Sequence, residues 1–198
     1  MTGGSWLYTD KVKEHFTNPR NILEDEDKFE SDGRGEVGNI TCGDQMLVVI
    51  KVEDDKIKEC KWKTYGCASA IASTSMMSEM VVGMNLKDAY HIKPEDIVKS
   101  LDGLPEHKIH CSVLGDRALR AAIEDYYKRN NLENEIEVEP ARVVCHCKNI
   151  TDREIEDFVK NGGKTFEELQ EKTGIGTVCG GCVEEVQELL HDYHHIYG

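Results

Sequence analysis

Four cysteines near the end of the chain have the residue type and spacing of a metal centre. They form two close pairs, Cys145-X-Cys147 and Cys179-X-X-Cys182, with 31 residues between the pairs. Four thiolates in two pairs can surround either a zinc ion or an iron–sulfur cluster. Two glycines separate the last pair, and their backbone amides can donate hydrogen bonds to sulfide at the start of a predicted helix. Such bonds would stabilise an iron–sulfur cluster, whereas a structural zinc is the occupant favoured for four-cysteine sets in general.

Three further cysteines are spread through the first two thirds of the chain. Cys42 is in a Cys-Gly-Asp turn that ends with Asp44, and Cys67 opens a predicted helix. His110 and Cys111 stand together just before another predicted helix. A helix start lowers the pKa of a thiol and makes it a competent thiolate. Each residue alone could be an ordinary buried or polar side chain, but together they predict an open metal site with mixed ligands.

The remaining cysteine and a histidine group near the end of the chain have simpler interpretations. Cys60 matches no ligand motif and alternates with the apolar positions of a predicted strand, so we expect it to be structural. His191, His194 and His195 could bind metal adventitiously, but a solvated helix end explains them better.

Composition predicts a soluble cytoplasmic protein. The chain has 198 residues, 39% of them hydrophobic, and a formal net charge of −14. It has no apolar run long enough to span a bilayer, and its first residues lack a signal pattern. The negative charge argues against nucleic acid or membrane as a partner and favours a basic protein. Eight cysteines without an export signal are read as metal ligands or reactive thiols.

The strands and helices predicted around Cys42, Cys67 and Cys111 indicate an α+β domain with a small antiparallel sheet. Strands are expected over residues 45–53 and 56–64, joined by a turn at Asp54-Asp55. Helices are expected over residues 9–17, 68–82, 94–101 and 112–128.

The second part of the chain predicts a small all-helical domain. Capping boxes begin at Thr151 and Thr165, and a last helix is expected over residues 181–195. A stretch with glutamate at alternate positions separates the two parts. We therefore predict a first domain at 1–130, a linker at 131–141 and a helical domain at 142–198.

The C-terminal pattern carries a family resemblance. Cys145-X-Cys147, followed by the run from Gly174 to Thr177 and then Cys179-Gly-Gly-Cys182, resembles the bacterioferritin-associated ferredoxin family and the central domain of NifU. The resemblance covers about residues 142–190. It implies that these four cysteines hold a permanent 2Fe-2S cluster.

The first part resembles the IscU/NifU family of iron–sulfur cluster scaffolds over residues 5–128. The motifs that carry the resemblance are Tyr8 to Asn21, Cys42-Gly-Asp44, Lys63 to Ala72 and Lys108 to Ser112. Such a protein is not an enzyme. It binds iron, accepts sulfur from a NifS/IscS-like cysteine desulfurase, builds a transient 2Fe-2S or 4Fe-4S cluster and passes it to apo-proteins.

The resemblance also implies residue roles. The ligands of the transient cluster, or of iron or zinc in its place, would be Cys42, Asp44, Cys67, His110 and Cys111. Cys111 would accept the persulfide sulfur, Asp44 would keep the cluster labile, and Lys108 would be a cation near the ligands. An electron donor and a homodimer through the helical domain are further expectations.

Two departures and two alternatives accompany this interpretation. Chaperone-dependent IscU proteins have Leu-Pro-Pro-Val-Lys where this chain has Leu-Pro-Glu-His-Lys at 104–108, and NifU proteins usually continue into a third domain with another Cys-X-X-Cys. The alternatives are a 2Fe-2S electron-transfer protein and a zinc-stabilised interaction protein. A pure electron carrier gives no reason to place Cys42, Cys67 and Cys111 at turns and helix starts.

Overall fold

The computed structural model describes residues 8–39, 44–105, 110–136 and 141–197. These residues form two compact units, one containing residues 8–37 and 44–136 and the other residues 38–39 and 141–197. None of the described helices combines the length and the apolar character needed to span a membrane.

The first unit is built on a three-stranded sheet with the order β1-β2-β3. The strands are β1 (Gly33–Asn39), β2 (Asp44–Glu53) and β3 (Lys56–Thr64). Strands β2 and β3 pair antiparallel, as predicted, and Met46 lies opposite Thr64. Asp54 and Asp55 both have positive φ, as a tight two-residue hairpin turn requires.

Five α-helices are described in this unit: α1 (Asp10–Thr17), α2 (Ala68–Val81), α3 (Leu86–Tyr90), α4 (Pro94–Ser100) and α5 (His110–Arg129). Four of them confirm the helical pattern of the sequence, and α3 was not predicted. The expectation that His110 and Cys111 precede the last helix is wrong. Both residues lie in the first turn of α5, because neither residue type disfavours helical geometry enough to delay the start.

The core lies between the sheet and helices α2 and α5. Met46, Val48 and Ile50 of β2 are fully buried on this side, and the Thr74 hydroxyl of α2 contacts the Met46 sulfur at 3.5 Å. The other face of β2 is apolar too. Leu47 and Val49 form a second small cluster with Leu23 and Phe29 from the preceding loop, so β2 is covered on both faces.

Strand β1 lies against α5 at a distance that only glycine allows. A Cβ atom added at Gly35 would collide with the backbone of Ala118 and Ala122, and one added at Gly33 would collide with the Ala122 carbonyl. The sequence of β1 shows neither alternation nor β-branched residues apart from Val37. The strand was therefore missed, since its position is set by close approach rather than by an apolar pattern.

The region predicted as a linker begins with ordered structure. Residues Glu133–Glu135 form a short 3₁₀ helix, and the Glu135 carboxylate is paired with the Lys87 ammonium at 2.7 Å. Residues 137–140, including Val138, lie outside the described residues.

The second unit is mainly helical, with helices α6 (Asp152–Lys160), α7 (Phe166–Thr173) and α8 (Val183–Tyr197). Both predicted capping boxes form, since Thr151 and Thr165 accept the amides of Glu154 and Glu168. The unit also contains an antiparallel hairpin of two short strands that were not predicted, β4 (Val143–Cys145) and β5 (Ile150–Thr151). A small core contains Ile155, Leu169, Ile175 and Val186, each fully buried.

Candidate metal centres

Sheet pairing places the start of β2 beside the segment that leads to Cys67. The Gln45 carbonyl accepts the Thr64 hydroxyl at 2.8 Å and the Tyr65 amide at 3.3 Å. The Gly66 amide then donates to the Thr64 hydroxyl at 3.0 Å, and α2 begins immediately after Cys67. The backbone of Asp44, the first residue of β2, therefore lies at the same end of the sheet as Cys67.

Strand β1 shows that α5 also begins at this end. Its contacts with α5 run backwards along the helix, with Gly33 against Ala122 and Gly35 against Ala118. Further along β1, the Glu36 carboxylate accepts a hydrogen bond from the Gln45 side-chain amide at the start of β2. Along β1, therefore, successive residues lie closer both to the first residues of α5 and to the first residues of β2.

The starts of β2, α2 and α5 consequently share one end of the first unit. Cys67 is the N-cap of α2 and is partly exposed, while Asp44, His110 and Cys111 are the first residues of β2 and α5. The other two predicted site residues, Cys42 and Lys108, lie outside the described residues.

Cys60 is separated from this site by its burial. It is 1% exposed, opposite Ile50 in the sheet, and burial raises the pKa of its thiol to about 12. A thiol in that state is a poor nucleophile and a poor ligand, because the thiolate is the reactive form. The structural interpretation of Cys60 is confirmed.

In the second unit, two loops bring the four C-terminal cysteines together. Cys145 ends β4, and Cys147 lies in the turn that leads to β5. Cys179 and Cys182 lie in the loop between α7 and α8, where Gly180 has a φ of +72°. The side chains of Arg142 and Glu185 form an ion pair, which fastens the residue before the hairpin to α8.

The four sulfurs form an inner and an outer pair. The outer sulfurs, those of Cys147 and Cys179, are 3.4 Å apart on exposed residues. The inner thiols, those of Cys145 and Cys182, are hydrogen bonded to each other, and their residues are only 2% and 8% exposed.

Backbone amides already favour the thiolate at one member of each pair. A hydrogen bond from the Gly176 amide lowers the pKa of Cys145, and one from the Gly181 amide lowers the pKa of Cys179. The pKa values of their partners are raised, that of Cys147 by the hydrogen bond to Cys179 and that of Cys182 by burial. The amide donors expected from the glycine-rich loop are therefore present in this structure.

One donor was not foreseen. The Gly176 amide donates a hydrogen bond to the Cys145 sulfur. Gly176 lies in the loop after α7, outside the Cys-Gly-Gly-Cys segment. It has a φ of +75°, in the left-handed region that favours glycine. The Gly-Ile-Gly-Thr run before Cys179 was the available signal, although the sequence alone assigned it no role.

This donor set fits a two-iron cluster better than a single ion. Tetrahedral zinc needs four ligands around one point, whereas a 2Fe-2S cluster divides four thiolates between two irons. The inner and outer pairs match that division.

Of the histidines predicted to be solvated, His194 donates from Nε2 to the Lys164 carbonyl at 2.9 Å.

Comparisons with known proteins agree with both parts of this description. The family described as "NifU-like N terminal domain" matches residues 7–133, and "BFD-like [2Fe-2S] binding domain" matches residues 143–192. The nitrogen fixation protein NifU of Trichormus azollae is 39% identical over 193 residues, which cover 94% of this chain and 64% of that protein. The chain thus spans less than two thirds of the length of this relative.

Two further proteins are similar to this chain over a shorter length. The iron–sulfur cluster assembly scaffold protein IscU 1 of Archaeoglobus fulgidus is 48% identical over 124 residues, 63% of this chain and 79% of that protein. The crystal structure of the N-terminal part of a NifU-like protein from Brucella abortus aligns with a TM-score of 0.48 and 20% identity, covering 62% of this chain and 95% of that one.

Proposed function

The chain belongs to the NifU-like family, and on that premise we propose that it is a scaffold for iron–sulfur cluster assembly. In this proposal the first unit builds a transient cluster, the second holds a permanent 2Fe-2S cluster, and neither turns over a substrate as an enzyme does. The observation that carries the proposal is the meeting of the starts of β2, α2 and α5 at one end of the first unit. A protein that used only the second unit for electron transfer would have no need of this arrangement.

The chemistry of the residues at that end suits a transient ligand set. Cys67 and Cys111 are at helix starts, where the backbone dipole favours thiolate. Asp44 offers a hard oxygen ligand, which holds iron–sulfide less firmly than a fourth thiolate would. We propose that Cys42 and His110 complete the set, and that zinc or iron can occupy it before a cluster is built.

Sulfur delivery is assigned to Cys111. A cysteine desulfurase would transfer persulfide sulfur to the Cys111 thiolate, Lys108 would contribute positive charge, and electrons would reduce the sulfur to sulfide. The assembled cluster is cargo and leaves for apo iron–sulfur proteins. The desulfurase, the electron donor and the recipients are expected in the cytoplasm, and a homodimer through the second unit is part of the proposal.

The second unit would contribute as a fixed redox centre. Its four cysteines would hold the 2Fe-2S cluster, which when bound can accept and donate single electrons. The amides of Gly176 and Gly181 stabilise negative charge on the inner and outer thiolates. The chain's own contribution is to orient these four sulfurs and to keep water from the inner pair.

The decisive experiment gives the desulfurase a substrate with labelled sulfur and follows the label onto the full chain. Labelled sulfur should appear on Cys111 of the full chain before cluster absorbance develops. Cys111→Ser should keep about two irons and two sulfides in the second unit and still bind the desulfurase, but it should build no transient cluster.

Cys60→Ser is the matched control, because Cys60 is buried away from the site and should leave assembly unchanged. Label on Cys42 or Cys67, with normal assembly by Cys111→Ser, would contradict the assignment of the acceptor. If no cysteine of the first unit takes label, the protein is an electron carrier and the scaffold proposal fails.

A further inference from the structure

An open cleft of about 520 Å³ lies at the opposite end of the first unit from the Cys67 end. Its walls come from the β2–β3 turn at Asp55, from α3 and from residues at and beyond the end of α5. The β2–β3 hairpin separates this end from the end where Met46 faces Thr64. The cleft is therefore distinct from the proposed assembly site.

A tyrosine side chain, that of Tyr127, lines the cleft. Tyr127 is 4% exposed; its carbonyl accepts the Leu132 amide at 2.8 Å, whereas its hydroxyl makes no hydrogen bond with another described residue. Burial first, and then the charge of Glu135, raise the pKa of its hydroxyl, so the group stays neutral. A neutral phenol can accept a hydrogen bond as well as donate one. The hydroxyl can therefore form a hydrogen bond with a ligand in the cleft.

The charged residues that line the cleft determine which charge a bound ligand should carry. Asp55 and Asp88 line it, and among the described residues the Asp55 carboxylate makes no hydrogen bond or ion pair. The cation lining the cleft, Lys87, is already paired with Glu135 at 2.7 Å. Two carboxylates therefore remain without a cation, and a cationic group would be attracted to them.

The floor of the cleft excludes a bare ion and favours an organic one. It is formed by Leu86, which is 3% exposed, together with Leu132 and the Tyr127 ring. No metal-binding group of three His, Cys, Asp or Glu occurs among the described residues. A volume of this size is typical of small-molecule sites, which combine apolar walls with a few polar groups.

We propose that this cleft binds a small organic cation, an ammonium or guanidinium group on a short apolar stem. The stem lies on Leu86 and Leu132, and the cationic group donates hydrogen bonds to the Tyr127 hydroxyl and the Asp55 carboxylate. The same chemistry occurs in free diamines and guanidino-amines and in the arginine side chain of another protein.

Titration of the full chain with agmatine, followed by NMR of the ¹⁵N-labelled protein, tests this site. We expect saturable shifts at the amides of Leu86, Tyr127 and Leu132. The uncharged analogue N-butylurea should give no such shifts. A blocked Gly-Arg-Gly peptide that binds more tightly than agmatine would identify a protein side chain as the source, and weaker binding would identify a free amine.

Two conservative variants make the result specific. Tyr127→Phe keeps the ring and removes the hydroxyl, and Asp55→Asn removes one charge, so each should weaken agmatine binding about tenfold. Asp27→Asn removes an exposed carboxylate that does not line the cleft and should bind as the parent does. Unchanged affinity in both cleft variants, shifts spread over the whole surface, or equal binding of N-butylurea would each overturn the proposal.

Discussion

Replacing one buried carboxyl group, that of Asp116 in α5, should stabilise the first unit above neutral pH. Asp116 is 5% exposed, and within the described structure its Oδ1 atom has no hydrogen-bond partner. Burial raises the pKa of this carboxyl from 3.8 to about 7, against the opposing attraction of Arg120 and Arg117. The folded state therefore holds the proton more tightly than the unfolded state, and the stability contributed by the protonated form is lost as the pH rises through about 7.

The pKa difference sets the size of the effect. One pKa unit corresponds to about 1.4 kcal/mol, so a fully ionised Asp116 costs about 4 kcal/mol of unfolding free energy. At pH 5.5 the group is protonated in the folded state and ionised in the unfolded state, and the cost falls to about 2 kcal/mol. Asp116→Asn cannot ionise. Its stability advantage over the parent should therefore grow by about 2 kcal/mol between pH 5.5 and pH 8.

Urea unfolding followed by tryptophan fluorescence measures this advantage. Trp62 is 2% exposed in β3, and the second unit has no tryptophan, so the signal reports the first unit. Both pH values lie above the isoelectric point of about 5.0, and a chelator keeps metal from the Cys67 end. Asp27→Asn, at an exposed position, should show no growing advantage. An advantage of Asp116→Asn that is equal at both pH values, or that shrinks at pH 8, would refute the assigned cause.

Three other perturbations follow from single contacts. Gly35→Ala should destabilise the first unit by about 3 kcal/mol in the same assay, because the new Cβ meets the backbone of Ala118 and Ala122, whereas Glu36→Ala on the same strand should cost little. Cys60 should resist iodoacetamide at pH 8 until urea unfolds the chain, as judged by peptide mass spectrometry, since burial raises the pKa of its thiol to about 12; labelling of Cys60 in the folded protein would contradict this. In cluster-free protein, a small disulfide such as oxidised glutathione should convert Cys147 and Cys179, whose sulfurs are 3.4 Å apart, into a disulfide and leave the buried Cys145 and Cys182 as thiols; a disulfide within the inner pair would be the contrary result.

Local sequence signals determined most of the secondary structure. The hairpin of β2 and β3 follows from its apolar strand residues and the Asp54-Asp55 turn, and the starts of α6 and α7 follow from their capping boxes. These features depend on neighbours close in sequence, so a reader of the sequence can find them. The four C-terminal cysteines can also be grouped from the sequence. They form two close pairs, and two such pairs are enough to supply all four ligands of one metal centre.

Only the tertiary structure decided the features that depend on residues far apart. Strand β1 exists because Gly33 and Gly35 let the backbone approach α5, and no pattern within the strand indicates it. The Gly176 amide that bonds Cys145 comes from a loop that begins almost thirty residues later in the chain. The division into an inner and an outer sulfur pair likewise requires the hairpin and the last loop to meet.

Three ionisable residues, Cys60, Asp116 and Tyr127, show the same dependence on packing in their energetics. The sequence predicts that Cys60 is structural, because its strand alternates, but it gives no indication that Asp116 is buried or that Tyr127 lines a cleft. Burial of a polar group depends on which helices pack around it, and its free energy depends on whether those helices supply a hydrogen-bond partner. The sequence by itself thus determined the elements and the ligand candidates, while packing decided their environment.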